Sequence, residues 1–281
     1  MDKSKREIAR LITRIENGSE PIESLLALHS NPTIIGITGA PGSGKSTLVS
    51  ALAKAMVESR KVGVIAVDPS SPISGGALLG DRIRLNFVHE NLFFRSVATR
   101  GMRSVSKSAY AIAKALGANG YDTIFIETVG GGQEDYDICA ISDLSLLILS
   151  PGSGDGIQML KSGIIELVDV IVLNKNDVEG AESFYDMLVG AFPDKRIFRT
   201  TALYGRGTEE LASFMFSWKS SEDHRKEAAI RSFLGVLLKE ELFSAFVREN
   251  KALFEEEVTA VARREKDIYE ALSELKARAT R

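Results

Sequence analysis

Gly39-Ala40-Pro41-Gly42-Ser43-Gly44-Lys45-Ser46, with Thr47 directly after, satisfies the pattern G-x-x-x-x-G-K-[ST]. Glycines let successive backbone N–H groups turn inward around phosphate oxygens, in dihedral regions and at distances that a Cβ obstructs. The start of a helix adds its dipole to the same attraction. In such a loop Lys45 reaches the β and γ phosphates as the catalytic cation. Ser46 offers its hydroxyl to Mg²⁺, a hard cation that prefers oxygen. A glycine-rich turn that only caps a helix would leave Lys45-Ser46 at this spacing unexplained.

Three carboxylates are candidates for the metal. Asp68 follows the apolar run 62–67 and Glu127 follows 123–126, so both fall where a parallel sheet presents its active edge. Asp81, in Leu79-Gly80-Asp81-Arg82, is the third. Each could instead cap a following helix, a common role for an acid at a strand end. Glu127-Thr128-Val129-Gly130 resembles a strand-end acid joined to a glycine whose N–H senses the γ-phosphate.

Further along, Val170-Ile171-Val172-Leu173 runs into Asn174-Lys175-Asn176-Asp177, an N-K-x-D tetrapeptide. In GTPases this tetrapeptide reads the base. The Asp177 carboxylate can accept from both the N1–H and the 2-amino group of guanine, the stem of Lys175 covers the ring, and Asn174 braces neighbouring loops. Adenine has neither donor, so a site of this kind discriminates by about ten-thousand-fold. Thr201-Ala202-Leu203, after the last strand, is placed to support the base from its backbone.

Composition narrows the rest. Lys plus Arg number 35 against 38 Asp plus Glu, a net charge of −3 that gives no broad attraction for nucleic acid or anionic lipid. One cysteine, Cys139, cannot make an internal disulfide, and three histidines, His29, His89 and His224, form no cluster of metal-site spacing. Cys139 reads as a small buried apolar residue. No apolar run has the length of a membrane span, and the acidic, amphipathic opening around Asp2, Glu7 and Glu16 resembles neither a secretory nor a transit segment. A cytoplasmic location is expected.

These groups need a scaffold, and the hydrophobic pattern predicts one. Short β-branched runs at 33–38, 62–67, 93–97, 123–126, 144–149, 170–173 and 196–200 alternate with helical stretches. Several are apolar without alternation, as strands buried between two helical layers require. The expectation is an α/β fold: a mostly parallel P-loop sheet flanked by helices. A helical extension over residues 1–32 precedes the domain at 33–219, and a helical arm follows at 220–281. Pro21 to Leu28 suggests a second short helix in the extension, and Glu255-Glu256-Glu257 a solvated helix face.

Beyond the two nucleotide motifs, the chain resembles the MeaB/ArgK-type GTPases. The resemblance runs from residue 33 to about 218 and is carried by Asp68-Pro69-Ser70-Ser71-Pro72, Ser74-Gly75-Gly76-Ala77-Leu78-Leu79-Gly80-Asp81, Glu127-Thr128-Val129-Gly130, Gln133 and Pro151-Gly152-Ser153-Gly154-Asp155. It implies a GTP-hydrolysing chaperone of an adenosylcobalamin-dependent acyl-CoA mutase such as methylmalonyl-CoA mutase. It also implies Mg²⁺ held by Ser46, Asp68, Asp81 and Glu127, with switch segments around Arg84, Gln133 and 151–161. A C-terminal helical arm used for homodimerisation is implied too, matching an apolar seam from Ile230 to Phe246. Where the family reads G-V-G-Q-S-E, this chain has Gly130-Gly131-Gly132-Gln133-Glu134-Asp135, and Arg100-Gly101-Met102-Arg103-Ser104 replaces an expected glycine run.

The expected reaction is in-line attack of water on the γ-phosphate, the water oriented by Asp68 or Gln133, slow until a partner completes the site. Three competitors remain: a nickel- or cobalt-insertion GTPase, which would want Cys or His ligands; an ATP-dependent small-molecule kinase using Asp68 on an acceptor hydroxyl; and a scaffold that binds GTP without cleaving it.

Overall fold

In a computed structural model of the chain, the described residues are 3–16, 19, 30–68, 87–98, 105–128, 134–152, 163–218 and 224–279. The elements follow in the order α1 (Lys3–Glu16), β1 (Thr33–Gly39), α2 (Lys45–Met56), β2 (Val62–Asp68), β3 (Leu92–Ala98), α3 (Val105–Ala118), β4 (Thr123–Glu127), α4 (Glu134–Ile141) and β5 (Leu144–Leu149). Then come α5 (Ile164–Leu167), β6 (Val170–Leu173), α6 (Ala181–Ala191), β7 (Arg196–Arg199), a 3₁₀ turn (Ala202–Tyr204), α7 (Thr208–Ser217), α8 (His224–Glu249), α9 (Lys251–Ala262) and α10 (Ile268–Ala279). The helix expected at 21–28 lies outside the described residues.

Among the described residues the strands form one seven-stranded sheet in the order β3-β2-β4-β1-β5-β6-β7. Every pairing in it is parallel. After β1 the chain travels toward β2, and after β5 it travels toward β6. That reversal opens a crevice at the carboxyl ends of β1 and β5, which is where the phosphate loop leaves the sheet.

Both faces of the sheet are covered, which explains the unbroken apolar runs. On one face Ile34, Ile65, Ile124, Ile126, Leu147, Leu149 and Ile171 pack with Ile112 and Leu116 of α3 and Ile138 of α4. On the other, Ile35, Ile37, Val64, Phe125, Leu146, Ile148 and Val172 meet Leu48, Leu52 and Met56 of α2 and Leu211 and Met215 of α7. Neighbouring residues of one strand thus enter opposite cores, the period of two expected of a strand. Each fully buried aliphatic side chain contributes about 1.5–3 kcal/mol.

Helix α1 belongs to the first of these cores. Ile8, Ile12 and Ile15 sit on one stripe and are buried in it. Lys5 Nζ fixes the helix to the edge of the sheet by donating to His89 O at 3.1 Å and Leu92 O at 2.8 Å. Phe214 of α7 lies between Phe198 and Trp218, with centroids 5.0 and 5.4 Å away. The Trp218 indole donates to Asp143 O at 2.9 Å.

The chain divides into two compact units, Met1–Phe233 and Leu234–Arg281. In the second, Glu257 differs from the solvated acid expected of the 255–257 run. It is 4% exposed and takes the Lys266 ammonium on both oxygens at 2.8 and 2.9 Å. Glu255 and Glu256 do face solvent. The periodicity that puts two acids outside turns the third inward, where a cation nine residues along the chain makes burial tolerable. Among the described residues no helix is long and apolar enough to cross a membrane.

Candidate functional site

The phosphate loop occupies the turn from β1 into α2. Gly39, at φ +150°, leaves β1 so closely against its neighbour that an added Cβ would stand 2.2 Å from Ile148 O. Gly44 caps α2 in the left-handed region at φ +91°, and a Cβ there would meet Asn174 Nδ2 at 2.3 Å. Only glycine satisfies both positions. Pro41, Gly42 and Thr47 are exposed, while Ala40, Ser43 and Lys45 are buried. The Lys45 ammonium folds over its own loop, donating to Gly39 O at 2.7 Å and Ala40 O at 3.1 Å. Among the described residues, Ser43 Oγ is buried with no hydrogen-bond partner.

Glu127 reaches this loop from β4. Its backbone lies beside Ile37 of β1 and Ala66 of β2, and its nearly enclosed carboxylate accepts from Ser46 Oγ at 2.5 Å. A hydroxyl and a carboxylate brought together at the carboxyl edge are the oxygen donors that a hard divalent cation selects, so these residues fit Mg²⁺. Asp68 closes β2 in register with Ala98, two residues beyond the Ala66 to Glu127 pairing. Asp81 and Gln133 lie outside the described residues, as do Arg84 and most of the segment 151–161.

Asn174 joins the distant motif to the loop. The residue is 2% exposed; its amide donates to Ser43 O at 3.0 Å, and its Oδ1 accepts from Thr200 Oγ1 at 3.1 Å and Ala202 N at 3.0 Å. One side chain therefore ties the phosphate loop, the end of β6 and the 201–203 loop. Thr201 and Ala202 are buried, whereas Leu203 is 72% exposed. A small antiparallel bridge, Thr201 with Arg206, closes that loop.

Beyond Asn174, Lys175 takes φ +56°, a left-handed backbone that is uncommon for a side chain of its size, and it and Asp177 face solvent. Asn176 is held from β7: its N donates to Thr200 O at 3.0 Å, and its Oδ1 accepts from Arg199 Nε at 2.9 Å. The same guanidinium forks onto Glu182 at 3.1 and 2.5 Å and lies 4.7 Å from the Tyr185 ring. The Glu182 hydrogen bond, ahead of any other influence, raises the Arg199 pKa.

Two supports carry no motif in the sequence. One is this Arg199 fork; the other is Asp135, a buried acid in the first turn of α4 that accepts from Thr38 Oγ1 at 2.6 Å and Thr128 Oγ1 at 2.5 Å. Nothing in local spacing pairs residues so far apart. Cys139 is buried, and burial, with Asp169 next in weight, pushes its thiol up to about 12, leaving it without nucleophilic character at neutral pH.

Comparison with known proteins follows the same lines. The family model described as methylmalonyl Co-A mutase-associated GTPase MeaB matches residues 8–230. A protein of Pyrococcus horikoshii designated a GTPase is 41% identical over 241 residues, 79% of this chain and 74% of the relative. The fused isobutyryl-CoA mutase of Cupriavidus metallidurans is 39% identical over 189 residues, 63% of this chain but 17% of that much longer protein. Among solved structures, an LAO/AO transport system kinase has a TM-score of 0.62 at 21% identity, covering 100% of this chain and 99% of the other. That last likeness is one of fold.

Proposed function

The chain belongs to the MeaB family of P-loop GTPases, and from that premise we propose that its hydrolysis of GTP serves an adenosylcobalamin-dependent acyl-CoA mutase of the methylmalonyl-CoA mutase type, assisting the loading or protection of the cofactor. The observation that carries the partner is the Cupriavidus metallidurans relative, where a stretch similar to this chain forms part of a fused isobutyryl-CoA mutase. Fusion holds two activities at high effective concentration, which suits functions that must meet repeatedly.

In this reading the backbone N–H groups of residues 39–47, Pro41 apart, hold the α and β phosphates. Lys45 exchanges its two loop carbonyls for β and γ oxygens, so the protein keeps the ammonium ready without leaving it uncompensated. Asp177 accepts from the N1–H and 2-amino group of guanine, with Lys175 along the ring and Thr201, Ala202 and Leu203 bordering it. Ser46, Asp68, Asp81 and Glu127 would hold Mg²⁺, which when bound would neutralise negative charge on the phosphates. Asp68 or Gln133 orients the attacking water. Hydrolysis is slow until the mutase completes the site, and GTP and GDP forms differ in affinity for it; by linkage the mutase alters nucleotide affinity by the same factor.

The protein acts in the cytoplasm as a homodimer. Leu234, Leu238 and Leu242 repeat every four residues along α8 at 58%, 60% and 62% exposure, a stripe suited to a second copy.

The test is affinity capture from native extract with the protein loaded with GDP or with a non-hydrolysable GTP analogue. A cobalamin-dependent mutase retained in one nucleotide state and released in the other is the expected result. Capture of no mutase in either state, or equal capture in both, removes the chaperone role while leaving the GTPase intact.

A further inference from the structure

Residues 129–133 connect Thr128, just past β4, to α4 in the sequence, and they include Gly130, read as the γ-phosphate sensor, and Gln133, read as a residue that orients the attacking water. Asp135 fastens the two ends of this connection. It is 2% exposed, and its Oδ1 receives the Thr128 hydroxyl at 2.5 Å from one end while its own backbone belongs to the other. The same oxygen takes the Thr38 hydroxyl at 2.6 Å, and Thr38, itself buried, immediately precedes Gly39 of the phosphate loop. Thr128 is anchored again through its N–H, which donates to Ile37 O at 3.0 Å. Cys139 Sγ lies 3.5 Å from Asp135 O, one turn further along α4.

Three functional pieces thus meet at one carboxylate oxygen: the strand that launches the phosphate loop, the residue after the Ser46-bonded Glu127, and the start of α4. A buried carboxylate is costly unless hydrogen bonds compensate it, and two hydroxyls converging on one charged oxygen are short, directional bonds of the stronger kind. Hydroxyls can also be given up and remade without breaking the chain's secondary structure, unlike the ladder bonds on either side.

We propose that Asp135 is a positioning residue for GTP hydrolysis: it clasps both ends of the 129–133 connection to the phosphate-loop strand, and so sets where Gly130 and Gln133 stand relative to the γ-phosphate. This rests on the GTPase reading of those two residues. Asp135 acts through what it holds. Thr38 and Thr128 are the two pins of the clasp, and the hydroxyl is the working part of each.

The experiment compares full-length wild type with Asp135→Asn, Thr128→Val and Thr128→Ser. It reads single-turnover cleavage of GTP with Mg²⁺, equilibrium affinity for GDP and for a non-hydrolysable GTP analogue, and thermal melting. Displacing a catalytic group by about an ångström costs on the order of a hundredfold, so Asp135→Asn and Thr128→Val should cleave roughly ten- to a hundredfold more slowly. Nucleotide affinities should stay within about twofold, a change too small to signal a lost binding contact. Thr128→Ser, which keeps the hydroxyl, should cleave at close to the wild-type rate.

Unchanged cleavage in Asp135→Asn overturns the clasp. So does a Thr128→Ser defect equal to that of Thr128→Val, because the hydroxyl would then not be what matters. Affinity and melting temperature that fall in step with cleavage would make Asp135 a staple of the fold and likewise overturn the proposal. If Asp135→Asn does not fold, the Thr128 pair decides alone. Failure of the wild type itself to bind or cleave GTP would strike the GTPase reading, a result distinct from all of these.

Discussion

Asn174 and Gly44 illustrate how much of this site is decided atom by atom. The Asn174 amide approaches the loop so closely that position 44 has no room for a methyl group, and Gly44 also holds a left-handed backbone. Gly44→Ala therefore meets a contact of 2.3 Å and a conformational cost together. The left-handed strain alone is about 1–2 kcal/mol, and every 1.4 kcal/mol is about tenfold in affinity. Titration with a fluorescent GDP analogue should show at least about tenfold weaker binding. Since Asn174 must move aside, the base-reading loop should loosen as well, which raises the dissociation rate for guanine nucleotides. Wild-type affinity in this variant would show that the Gly44 to Asn174 approach is dispensable.

At the level of elements, the base-reading loop after β6 depends on its neighbours β7 and α6. Arg199 closes that contact by bonding Asn176 and forking onto Glu182 in the first turn of α6. The pair is largely solvent-exposed, so its contribution is small, on the order of 1 kcal/mol or less. Arg199→Ala should accordingly speed GDP release by about two- to fivefold while leaving hydrolysis of bound GTP unchanged, as stopped-flow release and single-turnover assays would record. An unaltered release rate would mean Asn176 holds its place without help. Elements of this kind separate what was legible in the sequence from what was not. The run 144–149 reads as a strand and forms one with the same ends, because its five apolar residues, interrupted only by Ser145, fall on both faces, as in a strand buried between two layers. The run 93–97 begins one residue earlier as β3, and 196–200 stops one earlier as β7, since ends follow partners more than pattern. The loop at 39–46 and the tetrapeptide at 174–177 were visible as motifs. The bond between them through Asn174 was not measurable there, and Asp135 with its two threonines left no trace, because each depends on neighbours that only the folded sheet brings together. Glu257 shows no signal for a related reason: its cation, Lys266, lies in the turn that joins α9 to α10.

Across the whole molecule, the residues 234–281 form a unit with an electrostatic centre of their own. Lys266 stands between Glu257 and Glu274, 2.8 and 2.9 Å from their oxygens. Its pKa is raised, first by the Glu257 hydrogen bond and then by Glu274, while that of Glu274 is lowered, first by the Lys266 hydrogen bond. The signs fix two limbs of stability. The Glu274 contribution is complete above its ordinary value of 4.5 and is lost as pH falls through the lowered one; the Lys266 contribution is complete below 10.5 and is lost as pH rises through the raised one. Hydrogen exchange over α9 and α10, corrected for intrinsic rates, should show protection at neutral pH that declines on both sides, and Lys266→Met should flatten both limbs. The first unit carries a different burden, one of assembly order. Its central strand β1 pairs Thr33 with Thr123 and Ile35 with Leu144, so the earliest strand of the sheet waits for the fourth and fifth before either edge is filled. Until that stretch of chain has been synthesised, an isoleucine-rich ribbon stands open on both sides. Pairings this remote slow folding and expose sticky intermediates, so the nascent chain, more than the finished enzyme, is the form most in need of protection from aggregation.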